Sequence, residues 1–249
     1  MEKRSLFDIF FSQEFEGWSE KFNDKKKLIK KSLDLVDNYS IKYEKFYPLR
    51  EDVFKFLHTV PLKDIKVIIW GHRPYSKHFY KRPRALGYAY GVSKDDNLTS
   101  SLRNIYTKIS QEFPLTYKSP LDKDNFYNGE EKTLEYLHKQ GVLLINKILM
   151  ECVENKDGFE DIWNRFIFII IEIINENIEN CVHVLLGKSE KLSSLIKSKD
   201  IIVTPDPDSW KWKKEDCKVF SKINISLDKL GKEQIKWNIK DDDPNTKMV

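Results

Sequence analysis

The stretch of sequence that decides the fold is Val60-Pro-Leu-Lys-Asp-Ile-Lys-Val-Ile-Ile-Trp-Gly-His-Arg-Pro-Tyr75. Its middle, Lys66-Val-Ile-Ile-Trp70, is a short β-branched run between charged and turn-forming residues, a pattern typical of a buried strand. Three similar runs follow along the chain, Gly141-Val-Leu-Leu-Ile-Asn146, Cys181-Val-His-Val-Leu-Leu186 and Asp200-Ile-Ile-Val-Thr204. The sequence therefore predicts four buried strands.

Segments with helical spacing lie between these strands. Apolar residues recur at intervals of three and four at Leu102, Ile105, Ile109 and Phe113, and again at Ile162, Phe166, Ile169 or Ile170, and Ile173. Further helices are predicted around Lys26 to Val36, Glu51 to Leu57, and Asp216 to Leu230, the last ended by Gly231. Strands that alternate with helices form a parallel sheet covered on both faces. The predicted fold class is α/β, three-layer α/β/α with a central, mainly parallel four-stranded sheet.

The composition is that of a globular chain with nearly balanced charge. Of its 249 residues 40% are hydrophobic and 13% aromatic, which is enough to fill a core. Lys and Arg number 43 against 39 Asp and Glu, so any nucleic-acid binding depends on where the charges lie. The three cysteines are widely spaced, which favours a reducing, intracellular compartment, cytoplasm or nucleus, over a disulfide framework.

Neither a membrane segment nor a cofactor motif is expected. The longest apolar run, Phe166 to Ile171, is far shorter than the roughly 20 residues that span a bilayer. The first residues lack the pattern of a secretory signal. The sequence shows no metal-ligand spacing and no glycine loop that would hold a phosphate. We therefore expect no cofactor, no metal and no membrane partner.

The predicted sheet also predicts where function lies. In open α/β sheets, ligands bind outside the carboxyl ends of the strands. The loops after Trp70, Asn146, Leu186 and Val203 are therefore the candidate site.

Several short motifs in and around these loops occur in a fixed order. They are Tyr47-Pro-Leu-Arg50, Gly71-His-Arg-Pro-Tyr75, Gly87-Tyr-Ala-Tyr90, Ser101-Leu-Arg-Asn-Ile-Tyr106, Gly141-Val-Leu-Leu-Ile-Asn146, Leu186-Gly-Lys188, Thr204-Pro-Asp-Pro-Asp-Ser209 and Gly231-Lys-Glu-Gln-Ile-Lys-Trp237. In this order and spacing the chain resembles the family-1 uracil-DNA glycosylases, which implies their fold. The matches cover about residues 45–237. The expected organisation is one domain over residues 1–249, with a helical region at 1–44 and a polar tail at 238–249.

Two positions that carry the chemistry of that family are changed. The resemblance places Arg73 where the family has the aspartate that orients the water beside the sugar, and Thr204 where it has the histidine that stabilises charge on the uracil. A guanidinium about 4 Å from the cationic sugar would repel it by roughly 1 to 4 kcal/mol. A hydroxyl is a poorer donor to an anionic base than an imidazole. We therefore expect very little uracil excision, with Arg73 either binding a phosphate or carboxylate or pairing with a neighbouring acid on the surface.

Other pocket positions of the family are kept or conservatively replaced. The resemblance implies that Tyr75 closes the pocket against a 5-methyl group, that Tyr90 stacks on the base and that Asn146 recognises the uracil edge. The alternative is that these three residues pack and cap strand ends. His72 takes the place of a glutamine and Ser76 that of a histidine. His72 is either a hydrogen-bonded structural residue or a new catalytic base.

The DNA-facing motifs are only partly kept. The resemblance implies phosphate contacts by Ser101 and Ser209, but Asp206 replaces a serine and Asp208 replaces the leucine that enters the duplex. Two carboxylates oppose docking onto a polyanion. Two clusters nevertheless mix aromatic and basic residues as single-strand binders do, the alternative being solvated loops with packed tryptophans. The candidate contacts in them are Trp210, Lys211 and Trp212 in the run 210–214, and Lys81, Arg82 and Arg84 in the loop 77–84.

Three hypotheses follow from these substitutions. The first is a protein of this fold that has lost uracil excision and binds a nucleic acid, a nucleobase or a protein partner. The second is an active DNA glycosylase of base-excision repair with altered base specificity or a relocated catalytic residue, His72 being the candidate. The third is a scaffold for protein interactions whose old cleft is filled by its own side chains. The substitutions at Arg73 and Thr204, with Asp206 and Asp208, favour the first, non-enzymatic role.

Overall fold

The computed structural model describes residues 4–75, 86–91, 99–114, 134–152, 154, 158–214 and 216–237. Its helices are α1 (Leu6–Phe11), α2 (Ser19–Asp24), α3 (Lys26–Ser40), α4 (Ser100–Glu112), α5 (Glu160–Asn177) and α6 (Val219–Lys229). Its strands are β1 (Phe46–Tyr47), β2 (Val67–Gly71), β3 (Val142–Asn146), β4 (Glu151–Cys152), β5 (Val182–Leu186) and β6 (Ile201–Thr204). Short 3₁₀ helices lie at Arg50–Asp52, Lys55–His58, Leu62–Asp64, Leu134–Gln140 and Gly187–Leu195.

Four parallel strands form the central sheet, in the order β3-β2-β5-β6. Val67 of β2 pairs with Val142 of β3 on one side and with Val182 of β5 on the other. Every residue of β2, β3 and β5 is buried, which explains their continuous apolar sequences, whereas β6 at the sheet edge is only partly covered. The predicted parallel four-stranded sheet is therefore confirmed. β1 and β4 form a separate antiparallel pair.

Helices cover both faces of this sheet. The step from β2 to β3 through α4 and the step from β3 to β5 through α5 run in opposite directions across it. Because crossovers between parallel strands are right-handed, α4 and α5 lie on opposite faces. The helix α6 packs on β5, β6 and α4, while α3 and α1 extend the layer of α5. The predicted three-layer α/β/α arrangement is confirmed.

The segment 51–57 differs from the prediction of a helix. It forms two 3₁₀ turns, Arg50–Asp52 and Lys55–His58, with a turn between them. The amide of Phe56 donates to the carbonyl of Gly87 at 3.1 Å, so it does not bond within a helix. Phe54 and Phe56 are both completely buried. Packing of these rings therefore overrides local helix formation.

The last helix begins later than predicted, at Val219 and not near Asp216. Glu112, at the end of α4, accepts hydrogen bonds from the amides of Val219 and Ser221 at 2.9 and 2.7 Å. This carboxylate caps the first turn of α6 from another helix, which local sequence does not show. Gly231 follows α6 with φ of +66°, and the predicted end of the helix is confirmed.

The predictions of a single domain and of a reducing compartment stay predictions. Cys152 and Cys181 are buried free thiols, and Cys217 is a half-buried one. Within the described part of the chain, no helix combines the length and the apolar composition needed to cross a membrane.

Candidate functional site

A cleft of about 280 Å³ opens at the carboxyl ends of β2 and β3. The loops after β2 and β6 and the start of α4 also line it. This position agrees with the predicted site at the carboxyl ends of the strands. The loop after β5 supports the cleft from behind, since Ser189 donates to the carbonyl of Gly71 at 2.8 Å. The lining residues are His72, Arg73, Pro74, Tyr75, Tyr88, Tyr90, Gly91, Ser101, Asn146, Asp206 and Asp208.

Arg73 follows β2 by two residues, lines the cleft and forms an ion pair. Its Nη1 donates to Oε2 of Glu151 at 3.1 Å. The Glu151 side chain is completely buried, while that of Arg73 is 23% exposed. Of the two roles expected for Arg73, pairing with a neighbouring acid is the one that the structure shows. The acid, however, is buried and not on the surface.

His72 is held between two charged groups. Its Nδ1 accepts a hydrogen bond from Nε of Arg73 at 3.3 Å, so the ring proton of the neutral imidazole is on Nε2. Nε2 lies 3.6 Å from a Glu160 carboxylate oxygen. Burial and the Arg73 guanidinium lower the pKa of His72 to about 4, against the opposing effect of Glu160. Neither nitrogen presents a free lone pair to the cleft, which disfavours His72 as a general base.

A buried lysine explains the charge of Glu160. Lys147 follows Asn146 at the end of β3, is only 4% exposed, and donates to Glu160 at 2.9 Å. This hydrogen bond lowers the pKa of Glu160 to about 2. Glu160 is the first residue of α5, where the helix dipole also favours a carboxylate. Glu160 is therefore held by Lys147 beside His72, and of these three residues His72 lines the cleft.

Asn146 and Tyr75 both line the cleft as predicted. Asn146 is buried at the last position of β3, paired with Gly71 in the register of the sheet. A Cβ on Gly71 would overlap the Asn146 side-chain oxygen, so glycine allows this amide to approach the β2 backbone closely. The Tyr75 hydroxyl lies 3.5 Å from Ser100 at the start of α4.

Tyr90 lines the same cleft in a strained backbone conformation, with φ of 60°. Burial raises the pKa of its hydroxyl well above the ordinary value, and the nearby Asp206 and Asp208 carboxylates raise it further. The cleft lining thus combines the Arg73 guanidinium with the Asp206 and Asp208 carboxylates.

Thr204 does not face this cleft. It is buried at the end of β6, and its Oγ1 lies 3.5 Å from the sulfur of Cys217. It lines a second hollow, on the opposite side of the loop 205–214. The prediction that Thr204 stands at a pocket position beside the base is therefore corrected, because the end of β6 turns its side chain towards α6.

Helix α4 holds the loop 205–214 through three hydrogen bonds. Ser101 donates to Asp208 at 2.5 Å, Asn104 donates to the Pro207 carbonyl at 2.9 Å, and Lys108 donates to the Lys214 carbonyl at 2.9 Å. These three donors recur at helical spacing on one face of α4. The Ser101 hydroxyl, which was predicted to contact a phosphate, therefore donates its hydrogen bond to Asp208 instead. The Ser209 hydroxyl accepts from the Trp212 amide at 3.4 Å.

The tryptophan cluster separates into one exposed and one buried ring. Trp210 is 67% exposed, and Lys211 is also exposed. Trp212 is 2% exposed, and its indole N–H donates to the Asn104 carbonyl. The prediction that Trp212 contacts nucleic acid is corrected, because its ring packs in the core. Ser76 and the candidate contacts Lys81, Arg82 and Arg84 lie outside the described residues.

Sequence reasoning missed Glu151, Lys147 and Glu160. The signal for Glu151 is a single carboxylate within an otherwise apolar run, residues 148–152, which predicts a buried charge that needs a partner. The signal for Lys147 is its place directly after a buried strand. Its partner Glu160 is remote in sequence, so local patterns do not reveal it.

The charges of the cleft limit its chemistry. Among the described residues no three His, Cys, Asp or Glu side chains come together in a way that could hold a metal ion. Asn146 and Tyr90 can hold a planar, hydrogen-bonding ring. Arg73 opposes a cation at the floor, whereas Asp206 and Asp208 oppose an anion at the rim.

Comparison with known proteins identifies the family. No protein-family model matches the chain. The uracil-DNA glycosylase of Agathobacter rectalis is 32% identical over 204 residues, 78% of this chain and 83% of that protein. The uracil-DNA glycosylase of Mycoplasmopsis pulmonis is 30% identical over 200 residues, with the same coverage of 78% and 83%. The chain belongs to the uracil-DNA glycosylase family. Its Mesomycoplasma hyopneumoniae relative is 29% identical over 245 residues, 96% of this chain and 100% of the relative.

Solved structures agree at the level of the fold. Mimivirus uracil-DNA glycosylase superposes with a TM-score of 0.73 at 20% identity, covering 90% of this chain and 86% of that chain. A variant of mimivirus UNG in complex with UGI gives a TM-score of 0.75 at 20% identity, covering 96% and 97%. The UNG of Nitratifractor salsuginis gives 0.54 at 19% identity, covering 88% and 91%. The predicted uracil-DNA glycosylase fold is confirmed.

Proposed function

We propose that this member of the uracil-DNA glycosylase family no longer excises uracil efficiently and uses its cleft to bind a nucleobase within a nucleic acid. The ion pair between Arg73 and the buried Glu151 carries this proposal. It fixes a permanent positive charge at the floor of the cleft, where the family's transition state develops a cationic sugar.

Two further observations support the loss of excision. Thr204 faces Cys217 and not the cleft, so no donor from this position reaches a departing base. Groups that stabilise the transition state or transfer a proton each increase the reaction rate by a factor of about 10² to 10⁴. Loss of both positions leaves a cleft that can hold a base better than it can cleave the bond to the sugar.

Retention of a binding cleft is supported by its shape and polar groups. The Asn146 amide lies close to Gly71, and three tyrosines, Tyr75, Tyr88 and Tyr90, line the cleft. Sites that bind small molecules combine an apolar wall with a few oriented polar groups, as here. A flipped or unpaired base of a nucleic acid is the ligand class that fits this arrangement.

The test is uracil release from single-stranded and double-stranded oligonucleotides at high protein concentration, alongside oligonucleotide binding. We expect no release above the rate without protein and measurable binding that Asn146→Ala weakens. Robust turnover that Asn146→Ala abolishes would contradict the proposal.

A second candidate function rests on the carboxylates of the cleft. Asp206 and Asp208 line the same cleft as Asn146, so a relocated acid can approach a sugar held there. This candidate is a DNA glycosylase of altered base specificity that uses Asp206 in place of the lost aspartate, since His72 is disfavoured. Abasic-site cleavage after incubation with DNA carrying damaged bases, lost in Asp206→Asn, would support it. A panel of such DNAs with no base released would exclude it.

A further inference from the structure

A second hollow of about 280 Å³ lies behind the loop 205–214, between β6 and α6. Thr204 and Cys217 are among the residues that line it. The side chains of Lys211 and Lys214 from the loop and of Lys222 from α6 converge on it. The hollow is separated from the candidate cleft by the loop itself.

The hollow is strongly basic. Within the described part of the chain, no carboxylate lies within 4.0 Å of the Lys211, Lys214 or Lys222 ammonium. Asp216 also lines the hollow, so among its described lining residues three lysines face one carboxylate. Converging ammonium groups without carboxylate partners favour binding of an anion such as phosphate.

An exposed indole adjoins this hollow. The Lys214 ammonium lies 4.7 Å from the Trp210 ring, so the same lysine lines the hollow and packs on the indole. Of the six tryptophans, Trp210 is 67% exposed while the others are at most 2% exposed. A large exposed aromatic ring beside a basic hollow is the combination that holds a base and its phosphate.

The loop 205–214 therefore has two sides of opposite charge. Asp206 and Asp208 face the cleft, whereas Lys211 and Lys214 face the hollow. A phosphate is repelled on the cleft side, where the Ser101 hydroxyl already donates to Asp208. It is attracted on the hollow side.

We propose that Trp210 and the lysine hollow form a binding site for single-stranded nucleic acid, with an unpaired base stacked on Trp210 and a backbone phosphate held by Lys211, Lys214 and Lys222. A paired base offers no free face to the indole, which favours a single strand over a duplex. This inference rests on the proposed function in taking nucleic acid as the ligand, but it places the backbone on the opposite side of the loop from the cleft.

The experiment titrates a short oligothymidylate into the protein and follows tryptophan fluorescence and anisotropy. Because Trp210 is the one exposed tryptophan of the six, stacking should quench emission, and Trp210→Ala should remove the quench and weaken binding about 10-fold or more. Lys222→Glu should weaken binding about 10-fold at low salt and reduce the salt slope. Lys218→Glu is the matched control, because Lys218 is exposed near the start of α6 and does not line the hollow. Inorganic phosphate should compete with the oligonucleotide for the wild type more than for Lys222→Glu.

The results of these titrations either support or overturn the proposed single-strand site. Equal weakening by Lys222→Glu and Lys218→Glu would overturn it, as would unchanged affinity in Trp210→Ala. Binding of polyglutamate as tightly as of the oligonucleotide, without quenching, would overturn it in favour of an acidic protein partner. If Asn146→Ala weakens binding while the Trp210 and Lys222 variants do not, this inference fails and the proposed function stands. If the protein binds no oligonucleotide, both fail.

Discussion

Single residues in the cleft are coupled in pairs, which restricts what any one substitution can achieve. Arg73 and Glu151 illustrate this coupling, since the carboxylate is completely buried and the guanidinium reaches the cleft. Removal of one member of a buried ion pair leaves a buried charge in unfavourable surroundings. A change of function at Arg73 therefore depends on the residue at 151.

The first prediction concerns reversion at this position. Arg73→Asp should destabilise the protein by roughly 3 kcal/mol, because it places a second carboxylate beside buried Glu151. The double variant Arg73→Asp with Glu151→Gln should recover most of that loss. Urea unfolding of the wild type, both single variants and the double variant measures the coupling. A cost within the roughly 0.5 kcal/mol of an ordinary surface substitution would contradict the prediction.

A buried histidine gives the second prediction. His183 in β5 is 1% exposed, and its Nδ1 accepts a hydrogen bond from the Trp70 indole at 3.2 Å. Burial lowers the pKa of His183 from 6.5 to about 4. Between these pH values the unfolded chain binds more protons at this site than the folded chain, so stability falls as pH falls from 6.5 to about 4.

His183→Gln tests this dependence while keeping an acceptor for the indole. In the wild type the unfolding free energy should change with pH in that window, and in the variant this slope should be smaller by up to about 1.4 kcal/mol per pH unit. Urea unfolding at a series of pH values measures the slope. The same slope in wild type and variant would show that His183 does not carry the titration.

At the scale of elements, the sequence predicts what depends on local patterns and fails where distant residues intervene. The four strands were predictable because buried parallel strands have continuous β-branched sequences. The segment 51–57 was not, because the amide of Phe56 bonds to Gly87. Helix α1 lies in the predicted helical region 1–44, but its bounds were not predicted, although Ser5 and Asp8 at its start are a signal that the sequence does contain. Of the cleft, the loops were predictable from the sheet, whereas the partners of Arg73 and Lys147 were not.

The third prediction concerns the contact between α4 and the loop 205–214. Lys108 of α4 is 2% exposed and donates to the Lys214 carbonyl at 2.9 Å. Lys108→Met should remove that bond and keep the packing of the side-chain stem, so amide hydrogens of the loop should exchange faster. Hydrogen exchange followed by mass spectrometry measures this. Lys218→Met is the matched control, and faster exchange throughout the chain would point to global destabilisation and contradict a local role.

At the scale of the whole molecule, the net charge of +4 is modest, but charges of one sign cluster locally on the surface. The cleft side of the loop 205–214 carries Asp206 and Asp208, while its other side carries Lys211 and Lys214, which line the hollow together with Lys222 of α6. Association with a polyanion depends on these local fields more than on net charge. We therefore infer that, in the proposed binding of nucleic acid, the two acids direct the backbone to the hollow side of the loop.

The last prediction tests that arrangement. Asp206→Asn combined with Asp208→Asn should raise affinity for a short single strand about 10-fold at low salt, because it removes two repulsive charges while keeping an acceptor for Ser101. The salt dependence should steepen by roughly 0.7 for each new phosphate contact. Glu14→Gln with Glu20→Gln changes net charge equally at two exposed positions near α2 and is the control. Because a general charge effect would act on both double variants alike, equal gains in affinity would refute a specific role for the cleft carboxylates.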